Sequence, residues 1–159
     1  MKNKFSHISQ KGEVQMVDVS SKKETSREAI AKSKVFMKTK TLKHIIDKQN
    51  PKGDIITTAK IAGIMAAKKT SELIPLCHQI NLSNVEINID FDMKNNCINI
   101  ESICTSLSQT GVEMEALTSA SITALTLYDM CKALDKTISI SDIHLFKKTG
   151  GKSGIYIKE

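Results

Sequence analysis

The stretch VEINIDFDMKNNCINIESICT, residues 85–105, decides the fold of this chain. Over residues 85–93 every second residue is apolar and each residue between is Glu, Asn or Asp, which is typical of a strand with one buried and one solvated face. The following Lys94-Asn95-Asn96 supplies residues that tolerate a positive φ. Residues 97–105 return to a strand pattern, so the stretch predicts an antiparallel hairpin.

Further elements are predicted on both sides of this hairpin. They are a strand over residues 28–37, helices over 41–49 and 54–69, the longest helix over 111–134, a strand over 137–146 and a short strand over 155–157. We expect Asp54 to cap the second helix, and a bulge near Ser141-Asp142. The order strand, helices, strand, strand, helix, strand matches the ferredoxin-like sandwich. We therefore predict an α+β fold with helices packed on one face of an antiparallel sheet.

Length and composition predict one domain. With 159 residues, the chain is long enough to bury a core without disulfides or metal ions. Residues 1–26 carry glycine, serine and charge with little periodicity, which indicates a partly irregular N-terminal arm. The first residues lack a secretory apolar segment, and the longest apolar run, residues 61–67, is too short to cross a bilayer. We expect a cytoplasmic protein with no membrane association.

The cysteines and histidines do not have the spacing of metal ligands. Four of each are scattered along the chain without a Cys-x-x-Cys or His-x-x-x-His pair. Buried reduced thiols are the simpler interpretation. We expect neither a structural metal nor a disulfide framework.

The charge of the chain indicates an anionic partner. The formal net charge is +6, and 22 of the 23 basic residues are lysines spread along the sequence. Such a charge suits a nucleic acid, an anionic membrane or a small polyanion. Arg27, the only arginine, either grips phosphate or carboxylate with its planar guanidinium or is an ordinary surface cation.

The glycine-rich segment TGGKSG at residues 149–154 contains the Gly-Lys-Ser of a phosphate loop. The spacing excludes a Walker A loop, because Phe146 stands where the first glycine of that motif belongs. Both a cationic loop that closes over an anion and a solvated turn are compatible with the segment.

Asp129 and Lys132 lie three residues apart on the longest predicted helix and share a face. On open surface they form an ion pair worth at most about 1 kcal/mol. In a cleft, Asp129 can instead position the Lys132 ammonium for proton transfer, and partial burial lowers the lysine pKa toward neutrality.

Three further segments hold candidates for a shared site. Glu113 and Glu115 begin the longest helix, where the helix dipole favours carboxylates; they point in different directions, so we expect at most one to reach a shared site. His78 follows the turn at Pro75, which either holds the imidazole against an anion or buries it. Lys52 precedes a helix start, where an anion can meet free N–H groups, although turn chemistry also explains this segment.

Seven stretches occur in a specific order along the chain. They are MVDVS at 16–20, KGD at 52–54, IAG at 61–63, LIPLCH at 73–78, TGVEMEALT at 110–118, LYDMCKA at 127–133 and KTGGKSG at 148–154. Together they resemble the molybdenum cofactor biosynthesis protein C family over essentially the whole chain. Two positions depart from its pattern: Gln79 stands where the family usually has proline, and Asn50-Pro51 replaces a polar pair.

The resemblance implies a single catalytic domain over residues 1–159 and a phosphorus-oxygen lyase activity. The implied reaction converts 3′,8-cyclo-7,8-dihydroguanosine 5′-triphosphate into cyclic pyranopterin monophosphate and releases pyrophosphate. At matching positions, the residues implied to be catalytic are Asp129, Lys132 and Lys52. The residues implied to bind the substrate are Leu76, Cys77, His78, Glu113, Met114, Arg27 and Lys148.

The resemblance also implies a homohexamer, a trimer of dimers, with pockets between subunits. It implies no cofactor or metal held by the protein, although Mg²⁺ can accompany the triphosphate. A nucleic-acid-binding module on a ferredoxin-like sheet and a catalytically silent assembly scaffold are the alternatives. Only four Phe and two Tyr are present to stack bases. We therefore expect a small nucleotide-derived substrate and no nucleic acid.

Overall fold

The structure is a computed structural model that describes residues 7–9, 11–47, 53–152 and 154–159. Its elements are β1 (Thr25–Phe36), α1 (Thr39–Ile46), α2 (Ile55–Lys68), α3 (Thr70–Leu73), β2 (Asn84–Asp92), β3 (Cys97–Ser108), α4 (Glu113–Cys131), β4 (Ser139–Thr149) and β5 (Tyr156–Ile157). The strands form one antiparallel sheet in the order β2-β3-β1-β4-β5. The helices lie on one side of it. The predicted α+β, ferredoxin-like arrangement is confirmed.

The hairpin of β2 and β3 follows from the alternation in its sequence. Ile87 is buried against the helices, whereas Glu86 and Asn88 on either side of it are exposed. In the turn, the backbone N–H of Asn95 donates to Asp92 at 3.0 Å, and Asn96 takes a φ of 53°. Asparagine tolerates this left-handed conformation better than most residues.

The core lies between the sheet and the pair α2 and α4. Ala29, Ala31 and Val35 of the central strand β1 are fully buried under these helices. A methyl group on Gly63 of α2 would overlap the Thr123 hydroxyl of α4. Glycine at this position therefore lets the two helices approach closely.

The helices differ in length from the sequence prediction. Asp54 caps α2 as predicted, because its carboxylate accepts the Thr57 N–H at 2.9 Å. The short helix α3 follows α2 directly and was not predicted. Both α1 and α4 end earlier than predicted. At the end of α4, the N–H groups of Leu134 and Asp135 both donate to the Cys131 carbonyl and turn the chain out of the helix.

Two irregularities interrupt the pairing of β1 with β4. The predicted bulge is confirmed: the register shifts between Lys32 and Lys34, opposite Asp142, which has a φ of 53°. The second was not predicted. Ala31 pairs with Leu145 but Ile30 pairs with Lys147, so Phe146 is an extra residue in β4. This bulge places Lys148 opposite Ala29.

The strands β1, β3 and β4 all continue further than predicted at the same end of the sheet. Thr25 pairs with Ser108, and Glu28 pairs with Thr149. Each strand is longer here than its own pattern predicts, since pairing with a neighbour holds residues that have weak strand propensity. Before β1, residues 11–24 contain no helix or strand beyond a bridge between Ile8 and Val14. No helix in the described part of the chain is long and apolar enough to span a bilayer.

Candidate active site

A cavity of about 750 Å³ opens where β1 begins and β3 and β4 end. Its lining includes five cationic side chains, those of Lys22, Lys23, Arg27, Lys148 and Lys152. It also includes the two carboxylates Glu28 and Glu113. We name this space the cationic cavity. A concave surface with such an excess of positive charge attracts polyanions.

The Arg27 guanidinium is fixed in the wall of the cationic cavity. Its Nε and Nη2 groups donate to the backbone carbonyls of Ser108 and Gln109, each at 3.3 Å. Gly151, at a φ of 75°, lies so close that a methyl group there would overlap Nη1. Gly151 therefore packs directly against the arginine, and this contact requires glycine at position 151.

Lys148 and Glu113 form an ion pair across the same cavity. The distance between Lys148 Nζ and Glu113 Oε1 is 2.8 Å, and each side chain is about a quarter exposed, at 28% and 27%. Strand β4 supplies the ammonium and the first residue of α4 supplies the carboxylate. The carboxylate lies directly over Gly111.

A second cavity, of about 330 Å³, adjoins the first. The two cavities share the lining residues Lys22, Thr110, Gly111 and Glu113. The other lining residues of the second cavity are His7, Val17, Val19, Leu76, Cys77, His78, Ile80, Met114 and Glu115. We name this space the histidine cavity. Its apolar side chains suit a flat heterocycle better than a phosphate chain.

The N-terminal arm holds His78 in the histidine cavity. The distance between His78 Nε2 and the Val17 carbonyl oxygen is 2.7 Å. Because a carbonyl only accepts hydrogen bonds, the proton of a neutral imidazole lies on Nε2 in this contact. Nδ1 is then the acceptor of the ring.

Glu115 is the buried acid of the histidine cavity. Its residue is 4% exposed, and burial raises its pKa to about 7. Burial, with the nearby Glu115 charge as a smaller cause, also raises the pKa of the Cys77 thiol. The expectation that only one of Glu113 and Glu115 reaches a shared site is wrong. Both line this cavity, because it lies across the start of α4 and not along one side of the helix.

Asp129 and Lys132 lie at the opposite end of α4. Their side chains form an ion pair at 2.6 Å, and each is more than half exposed within the chain. The hydrogen bond that the Lys132 ammonium donates to Asp129 raises the Lys132 pKa, the reverse of what burial in a cleft would do. Along the helix Asp129 and Lys132 are roughly 24 and 28 Å from Glu113, at a rise of about 1.5 Å per residue. Within one chain, this pair and the two cavities are separate.

A sequence model described as the MoaC family matches residues 16–151. The chain belongs to the MoaC family. Relatives named cyclic pyranopterin monophosphate synthase are 54% identical in Desulfatibacillum aliphaticivorans and 51% identical in Heliobacterium modesticaldum, in each case over 98% of both chains. A third with this name, from Thermoanaerobacter pseudethanolicus, is 49% identical over the same share. The resemblance noted in the sequence is confirmed.

In this MoaC chain, the seven residues predicted to bind substrate all line the two cavities. Arg27 and Lys148 line the cationic cavity, Leu76, Cys77, His78 and Met114 line the histidine cavity, and Glu113 lines both. Lys52 lies outside the described residues. Within the described ranges, no group of three or more His, Cys, Asp or Glu side chains is arranged to hold a metal ion.

Several lining residues of the MoaC site were not singled out from the sequence. Lys22 and Lys23 are two lysines among 22, and nothing in their local pattern marks them. Glu115 is a candidate in the sequence only as an alternative to Glu113, with helix capping as the other explanation, and its burial is what distinguishes it. The position of Lys148 depends on the bulge at Phe146, which alternation does not reveal.

Proposed function

We propose that this MoaC chain is a cyclic pyranopterin monophosphate synthase of molybdenum cofactor biosynthesis. The reaction is that of a phosphorus-oxygen lyase acting on 3′,8-cyclo-7,8-dihydroguanosine 5′-triphosphate. Its products are cyclic pyranopterin monophosphate and pyrophosphate. Relatives that carry the name of this enzyme match 98% of the chain at about half identity.

The observation that carries the proposal is the junction of the two cavities at Glu113. A nucleoside triphosphate is a flat ring joined through a sugar to a polyanion. The histidine cavity offers apolar walls for the ring, and the cationic cavity offers Arg27, Lys148 and neighbouring lysines for the phosphates. The sugar and the α-phosphate then lie at the junction.

The cationic cavity serves the phosphate half of the reaction. A sugar hydroxyl oxygen forms a bond to the α-phosphorus as the bond from that phosphorus to the bridging oxygen breaks. Pyrophosphate leaves with the electron pair, and the hydroxyl proton passes to a base. Arg27 and Lys148 neutralise the charge that grows on the leaving pyrophosphate, while His78, whose Nε2–H is bonded to the Val17 carbonyl, lines the ring side of the junction. The attack is intramolecular, and holding both ends of the substrate in place fixes the geometry that favours it.

The ring half of the reaction moves protons as a C–N bond opens and the pterin ring closes. Lys132 and Lys52 act as acid and base, with Asp129 orienting the Lys132 ammonium across 2.6 Å. Glu115, with a pKa of about 7, exchanges a proton near neutral pH inside the histidine cavity. It is therefore a further proton donor or acceptor for the ring.

The proposal requires an assembly, because Asp129 and Lys132 are remote from the cavities of their own chain. A homohexamer, a trimer of dimers, brings this pair from one subunit to the cavities of another. Exposed apolar side chains on α2 and α4 support such contacts: Ile61 is 52% exposed, Met65 55% and Leu125 52%. Closed symmetric assemblies are the usual form of soluble oligomers.

The proposal also covers the role of Mg²⁺ and the compartment in which the reaction takes place. The chain itself supplies the cationic groups, so Mg²⁺ enters with the triphosphate and not as a resident cofactor. The reaction takes place in the cytoplasm, where the free thiols of Cys77, Cys97, Cys104 and Cys131 remain reduced.

The test is a turnover assay on the cyclised triphosphate with pyrophosphate as the measured product. The wild-type chain releases one pyrophosphate per cyclic monophosphate formed, and Asp129→Ala loses at least about a hundredfold in rate. Lys136→Ala, which changes a lysine shortly after α4, serves as the control and retains the rate. Absence of pyrophosphate release from the folded wild-type protein would contradict the proposal.

A further inference from the structure

We infer that Glu113 is an internal counter-ion of the phosphate site, with which the substrate's phosphate chain competes for Lys148. Gly111 leaves open the space that this carboxylate occupies. The inference rests on the proposed function and adds a specificity role to it. Glu113 thereby excludes free inorganic polyphosphates from a cavity whose charge would otherwise hold them.

The first observation is the place of the ion pair. Glu113 Oε1 lies 2.8 Å from Lys148 Nζ inside the cationic cavity, with about three quarters of each side chain covered. A charge-assisted hydrogen bond at this distance and burial occupies the ammonium in the direction a phosphate would use. The ammonium keeps further N–H donors, so a phosphate oxygen binds Lys148 either in place of the carboxylate or beside it against its charge repulsion.

The second observation is the space above Gly111. The three heavy atoms nearest to a Cβ at this position all belong to the Glu113 carboxyl group. The backbone of Gly111 is outside the positive-φ region, so alanine is compatible with it. A methyl group at position 111 therefore moves the end of one flexible side chain and leaves the backbone in place. Only glycine at this position leaves room for the carboxylate in the orientation that reaches Lys148.

The third observation is that Glu113 lines both cavities. When the phosphate chain takes Lys148, the released carboxylate is at the mouth of the histidine cavity. The guanine-derived ring of the substrate carries N–H donors, which a carboxylate accepts strongly. A ligand with both a phosphate chain and such a ring replaces the lost ion pair, whereas inorganic pyrophosphate does not. The exchange thus favours the substrate over the product pyrophosphate.

The test measures binding of inorganic pyrophosphate by titration calorimetry at fixed ionic strength. Glu113→Gln should bind pyrophosphate about tenfold more tightly than the wild type, a change that corresponds to about 1.4 kcal/mol. Gly111→Ala should change the affinity in the same direction, because it displaces the carboxylate without removing its charge. In a Lys148→Ala background, the gain from Glu113→Gln should disappear.

Glu28→Gln is the matched control for net charge. Glu28 also lines the cationic cavity, but its partner is Lys147, at 3.1 Å, which does not line it. The inference requires a smaller gain from Glu28→Gln than from Glu113→Gln. Equal gains in pyrophosphate affinity would mean that only the overall electrostatic field of the cavity matters, and this would overturn the inference. Unchanged or weaker pyrophosphate binding by Glu113→Gln would also overturn it.

These outcomes are separable from the proposed function. Pyrophosphate binding requires no turnover, so the counter-ion role can hold or fail whether or not the chain cyclises the triphosphate. Melting temperatures within about 3 °C of the wild type show that Glu113→Gln and Gly111→Ala remain folded. If Gly111→Ala fails this criterion, the Glu113→Gln and Lys148→Ala pair decides the question alone.

Discussion

The carboxylate of Asp135, in the segment after α4, accepts a hydrogen bond from the backbone N–H of Lys38 at 2.8 Å. The same carboxylate accepts from the Thr41 hydroxyl at 3.2 Å and from both the hydroxyl and the N–H of Thr137, at 2.6 and 2.9 Å. Asp135 thus ties the start of α1 to the connection between α4 and β4. Its side chain is fully buried, so these bonds compensate for its lost hydration.

Asp135→Asn should reduce the free energy of unfolding at pH 7 by about 2 kcal/mol, because the buried charge-assisted bonds are lost. The Thr137 hydroxyl, followed by the Lys38 N–H, holds the Asp135 pKa well below its ordinary value. The stabilisation is therefore complete above about pH 4 and declines as the pH falls further, since the unfolded chain takes up the proton first. Urea denaturation between pH 3 and 7 measures both effects.

The control for this stability prediction is Asp142→Asn. Asp142 forms an exposed ion pair with Lys34 at 3.4 Å, and such pairs contribute less than about 1 kcal/mol. A loss of stability in Asp142→Asn as large as in Asp135→Asn would contradict the prediction.

Glu115 should make stability depend on pH in the opposite direction. Burial raises its pKa from 4.5 to about 7, so the folded state holds a proton that the unfolded state has lost. The Glu115 contribution to stability is greatest below about pH 4.5, falls as the pH rises to about 7 and is then level, with a total change of about 3 kcal/mol. Glu115→Gln should remove this slope. Denaturation curves of both proteins between pH 4.5 and 8 give the difference, and parallel curves would exclude a raised pKa.

Arg27→Lys should raise KM for the cyclised triphosphate about tenfold while the protein remains folded. Lysine keeps the charge but lacks the planar fork that meets the Ser108 and Gln109 carbonyls, so the cation is no longer fixed. Steady-state kinetics separate KM from kcat. Lys34→Ala, on a lysine that does not line the cationic cavity, is the control with unchanged KM. An unchanged KM in Arg27→Lys would mean that charge alone is enough.

Subunit sharing of the site predicts complementation between inactive variants. Asp129→Ala and His78→Ala should each be inactive, and co-expression at equal amounts should restore about a quarter of wild-type activity in randomly mixed assemblies. The reason is that one site in four receives its Asp129 and its His78 from subunits that retain them. Activity of purified mixed assemblies measures this. No recovery in assemblies that contain both variants would place the two residues in the site of one chain.

Much of the fold was predictable because local patterns and tertiary packing agree. The alternation around Ile87 and the turn at Asn96 predict the hairpin, and Asp54 predicts the start of α2; all three are confirmed. Local patterns did not predict where some helices and strands end. Helix α4 ends before Leu134 because the chain turns at Cys131, and β3 continues to Ser108 because β1 pairs with it. Neither effect is encoded within the segment itself.

The candidate site was predictable to the extent that unusual residues mark it. Arg27 is conspicuous as the single arginine, whereas Lys22 is hidden among similar residues. The two cavities could not be derived from spacing, because they join the arm, the end of the sheet and the start of α4. Asp129 lies away from both cavities of its own chain, so its role in the site stays a prediction.

The extra residue at Phe146 decides which of two adjacent lysines meets Glu113. With the bulge, Lys148 lies opposite the buried Ala29, on the helix side of the sheet, and the Lys147 side chain forms an ion pair with Glu28. Without it, simple alternation would put Lys147 opposite Ala29. Because the neighbours are identical, a slip of β4 by one residue would still deliver an ammonium group to the same spot. The repeated lysine therefore lets this wall of the cavity keep an ammonium group when β4 shifts by one residue in that direction.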